Sequence, residues 1–73
     1  MSKLPVVSGR QAVKTFQKAG WTLVRWRGSH MILTKESEEA ILSIPDHKEL
    51  GRGLLRALIR DARMTISDFA ELL

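Results

Sequence analysis

The feature that constrains the fold of this chain most strongly is a pair of strand-like runs separated by two small residues. Residues 21–27 (WTLVRWR) are rich in aromatic and β-branched side chains, and residues 30–35 (HMILTK) form a second apolar run. The intervening Gly-Ser pair is typical of a two-residue hairpin, because glycine tolerates the positive φ of a type II′ turn. The sequence therefore predicts an antiparallel hairpin in which Arg27 and His30 face each other across the strands.

A first helix is predicted immediately before this hairpin. Ser8 and Gln11 have the spacing of a capping box, in which each side chain bonds the backbone N–H of the other residue. Gly20 can adopt the positive φ at which helices often end. The apolar residues between them recur at helical spacing and are Ala12, Val13, Phe16 and Ala19.

The remainder of the chain predicts one further strand and two more helices. Residues 36–39 (ESEE) indicate a solvated turn, and residues 40–45 (AILSIP) indicate a third strand. Thr65, with Asp68 three positions later, can cap a short last helix. The longer helix before it has an apolar stripe formed by Leu54, Leu55, Leu58, Ile59 and Ala62. We therefore expect one domain over residues 1–73, an α+β fold of helix, three-stranded antiparallel sheet, helix and short C-terminal helix.

The charge distribution favours a negatively charged partner. The net charge is +4, but residues 1–35 contain seven basic side chains and no acid, whereas residues 36–73 contain five basic and eight acidic ones. A half-chain of charge +7 attracts phosphates; a solvated surface that is basic without a partner is the alternative. The basic residues of this first half are Lys3, Arg10, Lys14, Lys18, Arg25, Arg27 and Lys35.

Composition also excludes several classes of protein. The chain has no cysteine, so it has neither a disulfide nor a thiolate zinc site. No apolar run approaches the roughly 18 residues of a membrane span, and the apolar patch at residues 4–7 is too short for a secretory signal. We expect a soluble cytoplasmic protein that does not associate with membranes.

Two arginines share a predicted sheet face with His30. If Arg27 and His30 are directly opposed, period-two alternation places Arg25 on the same face. The alternation assigns Trp21, Leu23, Ile32 and Thr34 to that face as well. It assigns Thr22, Val24, Trp26, Met31, Leu33 and Lys35 to the other face, which has the better apolar core. A slip of one residue in register would exchange the two faces.

This cluster contains the side chains that RNA cleavage needs. Attack by the neighbouring 2′-hydroxyl requires a base for that hydroxyl, an acid for the departing 5′-oxygen and positive charge for the phosphate oxygens. Histidine transfers protons near neutrality, and arginine binds phosphate oxygens through paired hydrogen bonds. The residues alone leave two roles open for His30, an acid or base in this reaction and a structural residue that closes the turn.

A second histidine, His47, lies just past the third strand in the segment PDHKEL. It can cap the following helix or bind a phosphate, and the sequence does not set its distance from His30. A metal site formed by His30, His47 and Asp46 is the alternative, but their spacing matches no recognised metal motif. The cleavage chemistry described above requires no metal or other cofactor.

Four segments along the chain carry a family resemblance. They are GW at the end of the first helix, RWRGSH at the hairpin, IPDHKEL after the third strand and GLLRALIRDA in the long helix. Together, at these spacings, they resemble the HicA-type toxins, the small mRNA interferases of bacterial and archaeal type II toxin–antitoxin systems. The resemblance extends from Ser8 to Thr65, most of the chain.

The resemblance implies a fold, an activity and a partner. The implied fold is like that of double-stranded-RNA-binding domains, in agreement with the element order above. The implied activity is metal-independent endoribonuclease cleavage of mRNA, with His30 as the catalytic residue. The implied partner is a HicB-type antitoxin that covers the active face; such antitoxins are typically acidic, which would suit the basic half of this chain. The oligomeric state is left open, a monomeric toxin included.

Within this interpretation the other site residues have distinct roles. Arg25 and Arg27 bind phosphate or stabilise the transition state, and Ser29 is a further RNA contact at the turn. A more diffuse field along the RNA comes from Lys14, Lys18 and Lys35. Because one histidine cannot be acid and base in the same step, His47, a lysine or water takes the other role.

The chain departs from the family pattern at three places. The family usually has Gly-Thr at the start of the long helix and Ala-Gly near its end, where this chain has Gly53-Leu54 and Ala62-Arg63. Trp26 stands where the family commonly has a polar residue. We expect Trp26 to be at least partly buried, since large aromatic side chains usually pack; an exposed indole at this position could stack on a base.

Two other functions are compatible with the residues. One is a basic binding module like a double-stranded-RNA-binding domain without turnover, in which a histidine at the turn would be optional. The other is a domain that binds only proteins through its basic sheet face. Replacement of His30 by alanine distinguishes a ribonuclease from the RNA-binding module. Salt-sensitive RNA binding distinguishes a ribonuclease from the domain that binds only proteins.

Overall fold

The fold is that of a computed structural model, which describes residues 3–73; the first two residues of the predicted domain over residues 1–73 lie outside this range. The elements are α1 (Gly9–Lys18), β1 (Thr22–Arg27), β2 (His30–Lys35), β3 (Glu38–Pro45), α2 (Arg52–Asp61) and α3 (Ile66–Leu72). The three strands form one antiparallel sheet in the order β1-β2-β3. The predicted α+β arrangement of helix, sheet, helix and short C-terminal helix is confirmed.

The predicted capping box of α1 is present. The backbone N–H of Gln11 donates to Oγ of Ser8 over 3.0 Å, and the backbone N–H of Ser8 donates to Oε1 of Gln11 over 2.8 Å. At the other end Gly20 has a φ of +100°, so the chain reverses after α1 at the predicted residue. A second capping box, between Thr65 and Asp68, begins α3.

The Gly28-Ser29 pair forms the predicted two-residue turn. Gly28 has a φ of +60°, and Ser29 is not among the residues with positive φ, as a type II′ turn requires. Arg27 therefore pairs directly with His30, and Trp26 pairs with Met31. Turn chemistry thus sets the register of the hairpin.

The prediction that side chains alternate strictly between the two faces of β1 is wrong for the first half of the strand. Leu23 pairs with Leu33, but Arg25 pairs with Ile32, so Val24 is the extra residue of a β-bulge. The bulge reverses the faces on its N-terminal side, and Leu23 consequently lies on the same face as Leu33. Two further residues predicted on the wrong faces are Trp21, which is buried in the core, and Thr22, which is exposed.

One hydrophobic core joins the helices to one face of the sheet. From the sheet it contains Met31, Leu33, Leu42 and Ile44. From the helices it contains Ala12, Val13, Phe16, Leu55, Leu58, Ile59 and Phe69. The rings of Phe16 and Phe69 lie 5.0 Å apart between centroids and tie α1 to α3. Ile32 is buried but is not part of this cluster, because it lies on the opposite face of the sheet.

The start of β3 and the exposure of Leu54 differ from the predictions. The turn before β3 is shorter than residues 36–39, since Glu38 and Glu39 belong to the strand. The carboxylate of Glu38 forms an ion pair with Nε of Arg63 at 3.1 Å. This pair joins the start of β3 to the end of α2. Leu54, predicted on the apolar stripe of α2, is 39% exposed, whereas the next residue, Leu55, is 1% exposed, so the buried stripe of this helix begins at Leu55.

The ends of α2 lack the cap residues that the family resemblance implies. The N-cap is Gly51, which makes no side-chain capping bond. After Ala62, Arg63 adopts a φ of +59° and is the only described non-glycine residue with positive φ. This left-handed position after a helix is one that glycine usually occupies. Arg63 thus ends α2 in a conformation that costs an L-residue free energy.

Candidate functional site

Three parts of the chain meet at the tip of the β1–β2 hairpin. His30 pairs with Pro45 at the end of β3, and the N–H of Asp46 donates to the carbonyl of Ser29 over 2.9 Å. The N–H of Gly9, the first residue of α1, donates to the carbonyl of His47 over 2.9 Å. We call this region, formed by residues 9–10, 27–30 and 45–47, the tip edge.

Arg25, Arg27 and His30 lie together on the sheet face that points away from the core. Arg27 is the direct cross-strand partner of His30, and Arg25 pairs with Ile32, the next residue on that face. Direct partners of this kind have Cα atoms roughly 4.5–5.5 Å apart. All three side chains are exposed. The predicted shared face is confirmed, and we call these three residues the outer-face cluster.

Within the part of the chain that the structure describes, the side chains of the outer-face cluster have no structural partner. Within residues 3–73, no hydrogen bond or ion pair engages the side chain of Arg25, Arg27 or His30. A histidine that closed the turn structurally would be expected to bond a neighbouring backbone group. The turn is instead held by backbone contacts, among them the bond from Asp46 to Ser29. The imidazole is therefore free to contact a ligand.

Trp26 lies on the opposite face of β1 from the two arginines. It pairs with the core residue Met31 but is itself exposed, at 47%, so the indole matches the alternative of an exposed residue rather than the expected partial burial. The guanidinium carbon of Arg10 lies 5.7 Å from the centre of its ring system, within the range of a cation–π contact. Because the indole occupies the core side of the strand, it leaves the outer-face cluster uninterrupted.

An ion pair between Arg10 and Asp46 braces the tip edge. Nε and one terminal nitrogen of Arg10 donate to the two carboxylate oxygens of Asp46, each over 3.1 Å. Hydrogen bonding to Arg10 lowers the pKa of Asp46 below its ordinary value, and the same contact raises the pKa of Arg10. Sequence reasoning identified neither residue as part of this pair, since 36 positions separate them and no local pattern links them.

His47 lies at the same edge as His30. It is exposed, and within the described residues its side chain has no hydrogen-bond partner; only its backbone is engaged, through the contact with Gly9. Asp46, which the metal alternative would need, is occupied by Arg10. No group of three or more His, Cys, Asp or Glu side chains within residues 3–73 could hold a metal ion.

The three predicted lysines are not gathered at the tip edge. Nζ of Lys18 donates to the carbonyl of Leu72 over 2.9 Å, and Nζ of Lys35 donates to the carbonyl of Ala19 over the same distance. Both contacts lie at the C-terminal end of α1, about 15 Å from its start. Lys14 is exposed in the middle of α1. The structure thus brings together Arg25, Arg27, Ser29, His30 and His47, and it separates Lys18 and Lys35 from them.

A surface cavity of about 480 Å³ lies away from the tip edge, between the start of β3 and the end of α2. Its lining includes the Arg63–Glu38 ion pair and none of the predicted site residues. No helix within the described residues is long and apolar enough to cross a bilayer.

Comparison with known proteins gives one family match. A family model described as the HicA toxin of bacterial toxin–antitoxin systems matches residues 9–64. No curated protein matches the chain. The matched region begins with α1 and ends just after α2, so it contains the whole sheet, the outer-face cluster and the tip edge.

Proposed function

This chain belongs to the HicA toxin family of bacterial toxin–antitoxin systems, and from that membership we propose that it is a metal-independent endoribonuclease that cleaves mRNA in the cytoplasm. The proposed enzyme is the single domain over residues 1–73. Its antitoxin would be a HicB-type protein. His30 is the proposed acid or base, and Arg25 and Arg27 are the proposed phosphate ligands.

The observation that carries this proposal is the direct pairing of Arg27 with His30 on an exposed sheet face. Both side chains project from the same face, so a phosphate held by the guanidinium would lie within reach of the imidazole. Arg25, on the same face, adds a second permanent positive charge for the phosphate oxygens. None of the three is engaged elsewhere within residues 3–73, which supports a role toward a ligand.

The proposed reaction is attack of a ribose 2′-hydroxyl on the adjacent phosphorus. The 2′-oxygen forms a bond to phosphorus as its proton passes to a base, and the bond from phosphorus to the 5′-oxygen breaks as that oxygen receives a proton from an acid. The products are a 2′,3′-cyclic phosphate and a free 5′-hydroxyl. His30 supplies one of these proton transfers.

His47 is the candidate we propose for the second proton transfer. It follows β3 by two residues, and β3 pairs with His30 at Pro45, so both imidazoles belong to the tip edge. Ser29 lies at the turn beside them and is a proposed RNA contact. Lys14 contributes positive charge on the exposed side of α1; Lys18 and Lys35 remain predicted RNA contacts, although their amino groups bond backbone carbonyls.

The proposed antitoxin would cover the outer-face cluster with acidic side chains. The two arginines and the histidine of this cluster, unpaired within residues 3–73, favour a negatively charged partner surface. Such a partner would compete with RNA for the same arginines, which explains neutralisation without a second site.

Incubation of the purified chain with single-stranded RNA in excess chelator tests the proposal. We expect cleavage that persists in chelator and yields 2′,3′-cyclic phosphate ends. Cleavage that stops on removal of divalent metal would contradict the metal-independent reaction. RNA binding without any cleavage would favour the non-catalytic binding module instead.

A further inference from the structure

We propose that the groove beside Trp26 is a binding subsite for one unpaired nucleobase of the RNA substrate. The inference rests on the proposed function, since it requires RNA at the outer-face cluster. It adds a specific substrate requirement, a single-stranded segment next to the reacting phosphate.

The floor of this groove is apolar and the groove is small. It lies between α1 and β1, has a volume of about 190 Å³ and is lined at its base by Val13, Leu23 and Met31. Val13 is 5% and Met31 2% exposed. Pockets for drug-sized ligands measure roughly 300–1,000 Å³, so this groove suits one ring system. Trp26, 47% exposed, provides an aromatic surface at its side.

The rim of the groove is polar and positively charged. It consists of Arg10, Lys14 and Gln17, and none of the described residues that line the groove is acidic. Lys14, whose amino group has no partner within residues 3–73, suits a phosphate that flanks a base, and the amide of Gln17 can both donate and accept hydrogen bonds at a base edge. An aromatic side chain with neighbouring cations is how proteins bind single-stranded nucleic acid through base stacking.

The position of the groove connects it to the outer-face cluster. Trp26 lies between Arg25 and Arg27 in the chain but faces the other side of β1. Within the described residues β1 pairs only with β2 and is an edge strand. A single strand held by the two arginines can therefore pass over the free edge of β1 and place an adjacent base against the indole. A base-paired strand could not do so without unpairing.

Arg10 keeps the indole in a fixed environment. Its guanidinium carbon lies 5.7 Å from the ring centre, while Nε and one terminal nitrogen donate to the carboxylate of Asp46. Asp46, which is outside the groove lining, therefore holds the Arg10 side of the groove in place, and less ordering is needed when a base binds.

Measuring the affinities of single Trp26 variants for two ligands tests the subsite. The ligands are a short 2′-O-methyl single strand, which lacks the attacking hydroxyl, and a fully abasic strand of the same length. We expect Trp26→Ala to weaken binding of the strand with bases by roughly 5- to 150-fold, the range for one lost stacking contact. Binding of the abasic strand should stay unchanged, and Trp26→Phe, which keeps a ring, should retain most of the affinity.

Matched controls make each outcome decisive. Leu54→Ala removes an exposed apolar side chain from α2 and should leave both affinities unchanged. Equal affinities of the native and Trp26→Ala chains for the strand with bases would overturn the subsite and leave the exposed indole to a protein partner. If the native chain binds neither strand even at low salt, the proposed function fails together with the subsite. If the native chain binds both strands and Trp26→Ala does not change either affinity, the subsite alone fails.

Discussion

Arg10 and Asp46 are separated by 36 positions in the chain and joined by two hydrogen bonds of 3.1 Å. This contact fixes the start of α1 to the residue that follows β3, while the backbone of Asp46 bonds the hairpin turn at Ser29. One side-chain pair thus connects a helix, the third strand and the turn that positions His30. Its geometry leads to the first prediction.

The stability contributed by Asp46 should be lost in acid. Its pKa in the folded chain is lowered, mainly by hydrogen bonding to Arg10, from an ordinary value of 3.8. A carboxyl with a depressed folded-state pKa stabilises the fold above its unfolded value and loses this contribution as the pH falls through the folded value. The difference in unfolding free energy between the native chain and Asp46→Asn should therefore be constant above pH 3.8 and shrink below it. A difference in unfolding free energy that stays the same at all pH values would contradict this.

Gly9 should tolerate no side chain. A Cβ built at this position would overlap the carbonyl oxygen of Pro45, because α1 begins directly against the end of β3. We expect Gly9→Ala to lower the unfolding free energy by about 1–3 kcal/mol, the usual cost of overpacking. Gly53 is the control, since a Cβ there meets nothing within 4 Å; Gly53→Ala in α2 should stabilise by about 0.5 kcal/mol. Urea denaturation measures both, and an equal effect of the two substitutions would be inconsistent with the close contact.

Arg63 offers a test of backbone strain at the end of α2. Its φ of +59° suits glycine better than any L-residue, but its side chain also pairs with Glu38. Arg63→Ala removes the ion pair and keeps the unfavourable φ, whereas Arg63→Gly removes both. We therefore expect the glycine variant to be more stable than the alanine variant by about 1 kcal/mol. Thermal or urea unfolding that ranks the two variants in the opposite order would show that the strain is absent.

Salt dependence should distinguish the arginines of the outer-face cluster from a distant lysine. If Arg25 and Arg27 each bind a phosphate, replacement of either by alanine should reduce the slope of log affinity against log salt by roughly 0.7 for single-stranded RNA. Lys18, whose amino group bonds the carbonyl of Leu72, lies at the far end of α1. Because Lys18 is proposed to add only to a diffuse field along the RNA, Lys18→Gln should reduce the slope by less than either arginine variant. A slope that falls equally in all three variants would indicate a diffuse field without specific contacts at the cluster.

Local chemistry made the hairpin predictable from sequence. The Gly28-Ser29 turn has two residues and so forces Arg27 opposite His30, and one glycine with positive φ is the only special conformation it needs. The capping box at Ser8 is equally local. In each case the residues that decide the structure lie within three positions of one another, so the outer-face cluster could be assembled from sequence alone.

The features that sequence reasoning missed depend on distant contacts. Nothing around Val24 signals a bulge, because a β-bulge is decided by how neighbouring strands pack, and Leu23 was consequently assigned to the wrong face. The Arg10–Asp46 pair joins residues far apart in the chain and depends on α1 crossing the end of β3. Lys18 and Lys35 have the composition of RNA contacts, but only the fold reveals that their amino groups bond carbonyls beside α1.

The proposed catalytic role of His30 is tested most directly by the cleavage of single-stranded RNA by His30→Ala, measured together with the affinity of that variant for uncleaved RNA. Because His30 transfers a proton and the arginines hold the phosphate, we expect the cleavage rate to fall by roughly 100- to 10,000-fold with little change in RNA affinity. Undiminished cleavage, or a loss of affinity as large as the loss of rate, would contradict the assignment of His30 as the catalytic residue.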